Sequence, residues 1–239
     1  MNNRILITGA SSDIGLEYIR QYADKYSFII AHYNHSHDRV MGLQSTTDTP
    51  IMPIQADLSD SESVSSMVKQ LSEQCVYPDC ILHIAAPKLK YEKFHKLDIQ
   101  NFERMIDTTL LSFSFLVQWA IPTMLKNRHG RIACVLSSVT KNTPPKYMSA
   151  YVATKYALWG LVRSLAVDYA DKGITVNAIS PNMIETRFIE DLPHLIKDEA
   201  IKTSSSGKLL SVKDIIPTIR FLLSDEANMI TGQNVGITR

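Results

Sequence analysis

Short apolar runs alternate with longer helical patterns along this chain, and the alternation limits the folds open to it. Such a pattern is typical of a parallel sheet covered by helices on both faces. The sequence therefore predicts a single doubly wound α/β domain over residues 1–239, with a seven-stranded parallel sheet. Strands are expected at Arg4–Thr8, Phe28–Tyr33, Ile51–Gln55, Ile81–Ile84, Ile132–Leu136, Thr175–Ile179 and Gln233–Ile237.

Helical patterns fill the intervals between these strands. Ser59 or Asp60 is expected to cap a helix that runs to about Gln74. The two longest patterns run from about Ile99 to Lys126 and from Ala150 to Asp171, and both are rich in apolar residues. A chain of 239 residues that is 45% hydrophobic can bury one sizeable core, so no second domain is expected.

Charge and cysteine content argue against several classes of protein. The 25 basic and 24 acidic residues give a formal net charge of +1, which argues against a nucleic-acid-binding surface. Cys75, Cys80 and Cys134 cannot all pair and have no zinc-like spacing, so a reducing, cytoplasmic location is expected. Because the first strand is predicted to begin by Arg4, no signal peptide is expected, and no apolar stretch is expected to reach membrane-spanning length.

The residues with the clearest chemical meaning are Ser138, Tyr151 and Lys155. Tyr151 and Lys155 are four residues apart, which places both side chains on one face of a helix. A phenol has an ordinary pKa of about 10, and a nearby ammonium group lowers that pKa because it favours the phenolate. The Ser138 hydroxyl could hold a substrate oxygen while Tyr151 donates or accepts the proton. This set suits reduction of a carbonyl or oxidation of an alcohol.

A second candidate site follows the first predicted strand. The segment from Thr8 to Gly15, TGASSDIG, joins that strand to a helical pattern. Glycines at a strand-to-helix turn let the backbone approach a pyrophosphate, whose charge then meets the N-terminus of the helix. The turn is therefore a candidate binding site for the dinucleotide that supplies hydride.

Five segments follow one another in an order that one known family shares. TGASSDIG resembles that family's nucleotide turn, and Asp57-Leu58 resembles its adenine contact after the third strand. Tyr151 and Lys155 match its Tyr-x-x-x-Lys motif, with Ser138 at the family's offset. Residues 172–181 resemble the strand and loop that cover the nicotinamide, and residues 224–232 resemble the closing segment. The chain thus resembles the short-chain dehydrogenase/reductase family, nearest to 3-oxoacyl-[acyl-carrier-protein] reductases, which implies a Rossmann-type fold.

The resemblance implies a role for each matching residue. Tyr151 would be the general acid, Lys155 its electrostatic activator and ribose anchor, and Ser138 the donor to the carbonyl oxygen. Thr109 would complete the catalytic set. The implied cofactor-binding residues are Gly9, Ser11, Ser12, Asp13, Ile14, Gly15, Asn34, His35, Ser36, Asp57, Leu58, Ala85, Ala86, Tyr151, Lys155, Pro181, Ile184 and Thr186.

Three positions depart from the family pattern. Asp13 replaces the middle glycine of the turn, and a helix-start aspartate that faces solvent is favoured over a cofactor contact. His83 replaces an asparagine after the fourth strand and cannot reproduce the donor and acceptor of an amide. Thr109 replaces the asparagine whose backbone carbonyl anchors a water beside the active-site lysine. Slower proton relay in an active enzyme is therefore expected.

The end of the second strand bears on the choice of nicotinamide cofactor. NAD-selective relatives usually place an acidic residue directly after this strand, and none stands there. Asn34, His35, Ser36 and Arg39 could instead accept a 2′-phosphate, although Ser12 stands where many NADP-dependent relatives carry a basic residue. The sequence favours NADP(H), and NAD(H) stays open.

Three histidines of the same region, His32, His35 and His37, have no cysteine or paired carboxylates beside them. A metal site needs such a set of ligands at suitable spacing. They are interpreted as polar residues of the cofactor loop, and no metal is expected.

Substrate and assembly are the features that the sequence constrains least. Residues 182–210 should form a lid over the site. The favoured function is NADPH-dependent reduction of a ketone such as a carrier-tethered 3-oxoacyl thioester, since Lys126–Arg131 resembles a stretch whose arginines meet the acidic carrier. The alternatives are a reductase or dehydrogenase of a sugar or polyol intermediate in polysaccharide biosynthesis, and a drifted scaffold or regulatory subunit. The two longest helices form a subunit interface in the family, so a homo-oligomer, tetramer or dimer, is expected.

Overall fold

A seven-stranded sheet lies at the centre of the computed structural model, which describes residues 3–238. Its strands are β1 (Arg4–Thr8), β2 (Phe28–Tyr33), β3 (Ile51–Gln55), β4 (Cys80–His83), β5 (Gly130–Val135), β6 (Ile174–Pro181) and β7 (Asn234–Ile237). They follow the order β3-β2-β1-β4-β5-β6-β7, and all neighbours are parallel. The predicted Rossmann-type doubly wound α/β fold is confirmed, with strand bounds within two residues of those expected.

Helices connect the strands and cover both faces of the sheet. They are α1 (Asp13–Tyr22), α2 (His37–Met41), α3 (Ser61–Glu73), α4 (Ile99–Ile106), α5 (Ser112–Asn127), α6 (Ser149–Tyr169), α7 (His194–Thr203) and α8 (Val212–Leu222). Asp60 caps α3 by accepting a hydrogen bond from the amide of Glu62, as one of the two predicted caps. Ser211 and Asp214 form a capping box that begins α8.

The core has two layers because successive side chains of a strand point to opposite faces of the sheet. Ile5 and Ile7 of β1 pack in the layer that contains α1 and α8. Leu6 packs in the other layer, which contains α3, α5 and α6. The central strands are buried along their length, as expected for a parallel sheet covered on both sides.

The long helical pattern from Ile99 to Lys126 is interrupted in a way that the sequence did not predict. A π turn, Asp107–Leu111, joins α4 to α5, and the amide of Ser112 donates to the carbonyl of Asp107. The Ser112 hydroxyl donates to the carbonyl of Thr108 at 2.6 Å. A π turn displaces backbone carbonyls from their α-helical partners and often marks a functional site. This one packs against α6.

Taken together, α4, the π turn and α5 form a helix, Ile99–Asn127, that is long and apolar enough to cross a membrane by length and composition. The expectation that no apolar stretch reaches that length is therefore wrong. Core helices pass the same test, and the apolar side chains of α5, among them Phe113, Leu116 and Met124, are fully buried in the layer beneath the sheet. The helix is apolar because the sheet covers it.

Candidate active site

A cavity of about 1380 Å³ lies at the carboxyl ends of β1, β2, β4, β5 and β6. Open parallel sheets bind their ligands at this edge. Gly15 and Thr109 do not line it. Every other predicted site residue does, namely Gly9, Ser11, Ser12, Asp13, Ile14, Asn34, His35, Ser36, Asp57, Leu58, Ala85, Ala86, Ser138, Tyr151, Lys155, Pro181, Ile184 and Thr186.

Tyr151 and Lys155 lie one turn apart on α6, and both are almost wholly buried. The Lys155 ammonium is 5.6 Å from the centre of the Tyr151 ring and donates to the Val135 carbonyl at 2.7 Å. Ser138 follows β5 at the start of a short 3-10 helix, Ser138–Thr140. Within residues 3–238 its hydroxyl makes no hydrogen bond, so it is available to a substrate oxygen.

Burial dominates the acid–base properties of this set. It raises the pKa of the Tyr151 phenol, and the Ser137 side chain opposes the rise. It lowers the pKa of the Lys155 ammonium to about 8. The sequence predicted a lowered pKa for the phenol, and that expectation is wrong for the protein alone because desolvation by burial dominates. The sequence did not identify Ser137 as a site residue, and its position directly before Ser138 is the one indication of such a role.

The glycine turn after β1 is built around two glycines with different functions. Gly9 has a φ of 69°, and a Cβ there would lie 3.2 Å from the backbone of Ala85. Glycine at this position lets the chain turn sharply beside the cavity. Ser12 caps α1 by accepting from the amide of Gly15 at 3.1 Å. Gly15 lies behind the turn, where a Cβ would be 2.7 Å from the Cα and carbonyl oxygen of Ala10.

Asp13 does not face solvent as the sequence predicted. Its Oδ1 accepts from Arg39 at 2.7 Å, and its Oδ2 accepts from the amide of Arg187 at 2.8 Å. Arg39 also donates to the carbonyl of Ser11 at 2.6 Å. Burial opposes ionisation of Asp13, but these hydrogen bonds outweigh it and keep the pKa of the carboxyl below its ordinary value. The negative charge of Asp13 is therefore already compensated at the turn.

Two buried histidines flank β1 at the level of the turn. His32 accepts the amide of Gly9 at Nδ1 (3.1 Å) and donates from Nε2 to the carbonyl of Ala56 (3.0 Å). His83 joins Thr8 Oγ1 at Nδ1 (2.8 Å) and the carbonyl of Thr109 at Nε2 (3.0 Å). Because carbonyl oxygens only accept, both rings carry their proton on Nε2 and are neutral. Burial lowers the pKa to about 4 for His32 and about 3 for His83.

These histidines should make the fold sensitive to acid. Both have a pKa below the unfolded value of 6.5, so their stabilisation is fully present above that pH. It is lost as pH falls from 6.5 through the folded pKa values, because the unfolded chain binds more protons in that range. We expect the urea midpoint to fall steadily from about pH 6.5 to about pH 4.5.

His32→Asn should reduce that slope, and His35→Asn should leave it unchanged because His35 is exposed. A midpoint independent of pH in the wild type would contradict the expected charging of buried imidazoles.

Thr109 differs from its expected position. Its side chain is fully buried against the sulfur of Met105, 3.9 Å from Oγ1, and it does not reach the cavity. The neighbouring Thr108 lines the cavity instead. The backbone carbonyl of Thr109, on which the expected relay depends, accepts from His83.

Residues 182–210 cover one end of the cavity. Ile184 pairs with Leu210 at the base of the segment, and the Phe188 ring is 6.4 Å from the ring of Tyr151. Lys88 forms salt bridges with Glu190 at 3.0 Å and Asp191 at 2.7 Å, which hold this part of the segment against the loop after β4. Among residues 3–238 there is no group of three or more His, Cys, Asp or Glu side chains suited to a metal.

Comparison with known proteins gives the class. A family model described as enoyl-(acyl carrier protein) reductase matches residues 9–238. The chain is 30% identical over 240 residues to the 3-oxoacyl-[acyl-carrier-protein] reductase of Staphylococcus aureus, covering 99% of this chain and 97% of the relative. It is 27% identical over 256 residues to the D-beta-hydroxybutyrate dehydrogenase of Rhizobium meliloti, covering 99% and 97%.

Solved structures agree with this class. The structure of 4-hydroxyisoleucine dehydrogenase complexed with NADH and succinate is 30% identical, has a TM-score of 0.86, and covers 98% of this chain and 97% of that chain. The protein therefore belongs to the short-chain dehydrogenase/reductase family and is an oxidoreductase of that family, whose members bind NAD(P)(H).

The cavity of this chain fits such a cofactor. The positive φ at Gly9 and the small residues Ala85 and Ala86 bring backbone close to the cavity. The N-terminus of α1 adjoins the same wall, and such a terminus attracts a pyrophosphate. The Asp13 carboxylate is the one anionic group within the turn, and its pairing with Arg39 removes most of the repulsion that it would exert.

Proposed function

We propose that this protein is an NADPH-preferring reductase that converts a ketone of the 3-oxoacyl thioester type into an alcohol. One observation carries the proposal: Ser138, Tyr151 and Lys155 line the same cavity as the glycine turn and the end of β2. A proton donor and a candidate dinucleotide-binding site therefore lie in the same cavity. The 30% identity to a 3-oxoacyl-[acyl-carrier-protein] reductase supports this substrate class.

In the proposed reaction Ser138 binds the carbonyl oxygen and Tyr151 gives that oxygen a proton. The nicotinamide supplies hydride to the carbonyl carbon when it is bound. Lys155 adds a positive charge beside the phenol, and its ammonium is oriented by the Val135 carbonyl. Phe188 closes over Tyr151 and limits the access of water to the proton donor.

The proposed cofactor-binding residues surround the other end of the cavity. Asn34, His35 and Ser36 line the wall where a 2′-phosphate would lie, and Arg39 lies on the same wall. Arg39 is held against the carbonyl of Ser11, so a basic group reaches the turn from α2 although Ser12 is not basic. Its charge is already paired with Asp13, so Arg39 supports the preference for NADPH as a hydrogen-bond donor rather than as a free cation.

Parallel fluorescence titrations of the purified protein with NADPH and NADH test this proposal directly. Tighter binding of NADPH is expected. Binding of neither would refute the enzyme proposal and favour a scaffold or regulatory subunit. Tighter binding of NADH would leave an NAD-dependent dehydrogenase as the better candidate, which the NADH complex of a 30% identical relative supports.

Asn34→Asp should shift the preference toward NADH. A carboxylate at this wall position repels a 2′-phosphate and can accept from a ribose 2′-hydroxyl. We expect the ratio of NADPH to NADH dissociation constants to rise by about tenfold or more, which corresponds to about 1.4 kcal/mol.

Asn142→Asp is the matched control, because it adds the same charge on the cavity wall beyond the catalytic 3-10 helix. An equal change in the ratio for both variants would show that Asn34 is not at the 2′ position.

We further propose that the protein is a cytoplasmic homo-oligomer, a tetramer or a dimer. Leu111, Phe115 and Tyr156 are exposed apolar residues on the two longest helical stretches. Light scattering should return a multiple of 26.9 kDa. Phe115→Arg should lower the mass, and Phe94→Arg, at an exposed phenylalanine outside these helices, should not. A 26.9 kDa wild-type particle would refute the assembly.

An acidic carrier is the proposed partner that delivers the substrate, but the basic stretch is only partly available for it. Arg131 is buried and bonded to Asp225 at 2.9 Å, so the expectation that it meets a carrier is wrong. Lys126 and Arg128 of the same stretch are exposed and remain the candidate contacts.

A further inference from the structure

His83 forms hydrogen bonds with two parts of the site, Thr8 at the start of the glycine turn and the Thr109 carbonyl in the π turn. We infer that His83 is a positioning residue of the catalytic set, which ties the glycine turn to the π turn and forms a neutral wall beside the Lys155 ammonium. The inference rests on the proposed function, because it concerns the proton donor of that reaction. It begins from a side chain that is 1% exposed and has both ring nitrogens in hydrogen bonds.

The hydrogen bonds around His83 have a single consistent direction. The amides of Ile84 and Ala85 donate to Thr8 Oγ1 at 3.2 Å and 3.4 Å. The Thr8 hydroxyl therefore has its own proton free to donate to His83 Nδ1, and Nε2–H donates to the carbonyl of Thr109. Thr8 and His83 are register partners on β1 and β4, so the pairing of these strands fixes the position of the ring.

The acceptor of this chain of bonds lies in the π turn. A π turn moves a carbonyl away from the amide that would bond it in an α-helix. The His83 ring supplies a donor to the Thr109 carbonyl and fills the adjoining space, with the Phe113 ring 5.2 Å from it on the helix side. The next residue toward the N-terminus, Thr108, lines the cavity. Movement of the π turn would therefore be transmitted to the cavity wall.

The charge of Lys155 also acts on the His83 ring. The groups whose charge acts on the ring are Lys155 on α6 and His32 on β2, and its register partner on β5 is Cys134. Burial and the charge of Lys155 both keep the ring neutral, and burial keeps the Cys134 thiol protonated by raising its pKa to about 12. Lys155 is thus the charged side chain among these buried neighbours. A gap between β4 and the π turn would admit water and hydrate its ammonium.

Two substitutions separate the functions of the two ring nitrogens. Asparagine places its amide near Nδ1, so His83→Asn keeps the contact with Thr8 and loses the donor to Thr109. Glutamine places its amide near Nε2, so His83→Gln keeps the donor to Thr109. We expect His83→Asn to move the alkaline limb of the kcat profile upward by about one pH unit, because water stabilises the charged ammonium. The profile of His83→Gln should stay close to that of the wild type.

His32 provides the matched control, since it is an equally buried imidazole with the same tautomer that contacts Gly9 and Ala56 instead. His32→Asn should weaken NADPH binding and leave the pH limb in place. Both His83 variants should bind NADPH within about twofold of the wild type, a difference of only about 0.4 kcal/mol. Identical pH profiles for His83→Asn and His83→Gln would overturn the inference and leave a purely structural role.

A measurement without turnover separates this inference from the proposed function. Nitrogen-15 NMR of histidine-labelled wild-type protein, assigned with these three variants, should show His83 protonated on Nε2 and neutral down to about pH 5. A ring protonated on Nδ1, or one that titrates near pH 6.5, would overturn the inference even in an active enzyme. Failure to bind NADPH or NADH would instead refute the proposed function.

Discussion

Tyr151→Phe should lower turnover by about 10²- to 10⁴-fold, because it removes the proton that the carbonyl oxygen receives in the transition state. The change deletes one hydroxyl and leaves the ring that packs against Phe188. The side chain is 8% exposed, and its hydroxyl makes no hydrogen bond within residues 3–238, so the fold should keep its stability within about 1 kcal/mol. Steady-state rates with an acyl thioester ketone and NADPH titration give both quantities.

Tyr156→Phe is the matched control for this experiment. It deletes the same hydroxyl from a tyrosine on the same helix that is 46% exposed and outside the cavity. Its rate should equal that of the wild type. Turnover within about twofold of normal in Tyr151→Phe would remove Tyr151 as the general acid.

Gly15→Ala should disrupt cofactor binding, although Gly15 does not line the cavity. The added Cβ would lie 2.7 Å from the Cα and the carbonyl oxygen of Ala10 and 2.8 Å from the carbonyl oxygen of Gly9. These are backbone atoms, so the turn itself must move. We expect NADPH affinity to fall by about tenfold to hundredfold and the free energy of unfolding to fall by about 1–3 kcal/mol.

Gly160→Ala makes the same substitution in α6 at a position where a Cβ meets no atom within 4 Å. Because alanine favours the helix, this variant should be more stable by about 0.5–1 kcal/mol and should bind NADPH normally. NADPH binding by Gly15→Ala as tight as that of Gly160→Ala would show that the turn tolerates the displacement.

Most of the fold could be predicted because it depends on local patterns. The seven apolar runs and the helices between them appear in the sequence as short stretches, each interpretable alone. The pairing of Tyr151 with Lys155 is also local, since one helical turn separates them. Their pKa values were not predictable in the same way, because desolvation depends on everything that packs around them.

The features that the sequence did not reveal all involve partners distant along the chain. Asp13 is bonded to Arg39, 26 residues away, and to the amide of Arg187, 174 residues away. His83 reaches the carbonyl of Thr109, a backbone atom that any residue would offer. The π turn that presents this carbonyl has no distinctive composition. A pattern of residue types cannot indicate such contacts, and only the folded arrangement brings them together.

The two hydrogen bonds of the Asp13 carboxylate limit how freely parts of this protein can be exchanged. Its carboxylate accepts from Arg39 of α2 and from Arg187 of the lid while it stands in the glycine turn. Residues 34–39 or 182–210 taken from a relative with glycine at position 13 would come from a protein in which the turn carries no carboxylate for them to bind. Substitutions at residues 34–39 therefore also affect residues 182–210, because Arg39 and Arg187 share one carboxylate, and these three segments have to be redesigned together.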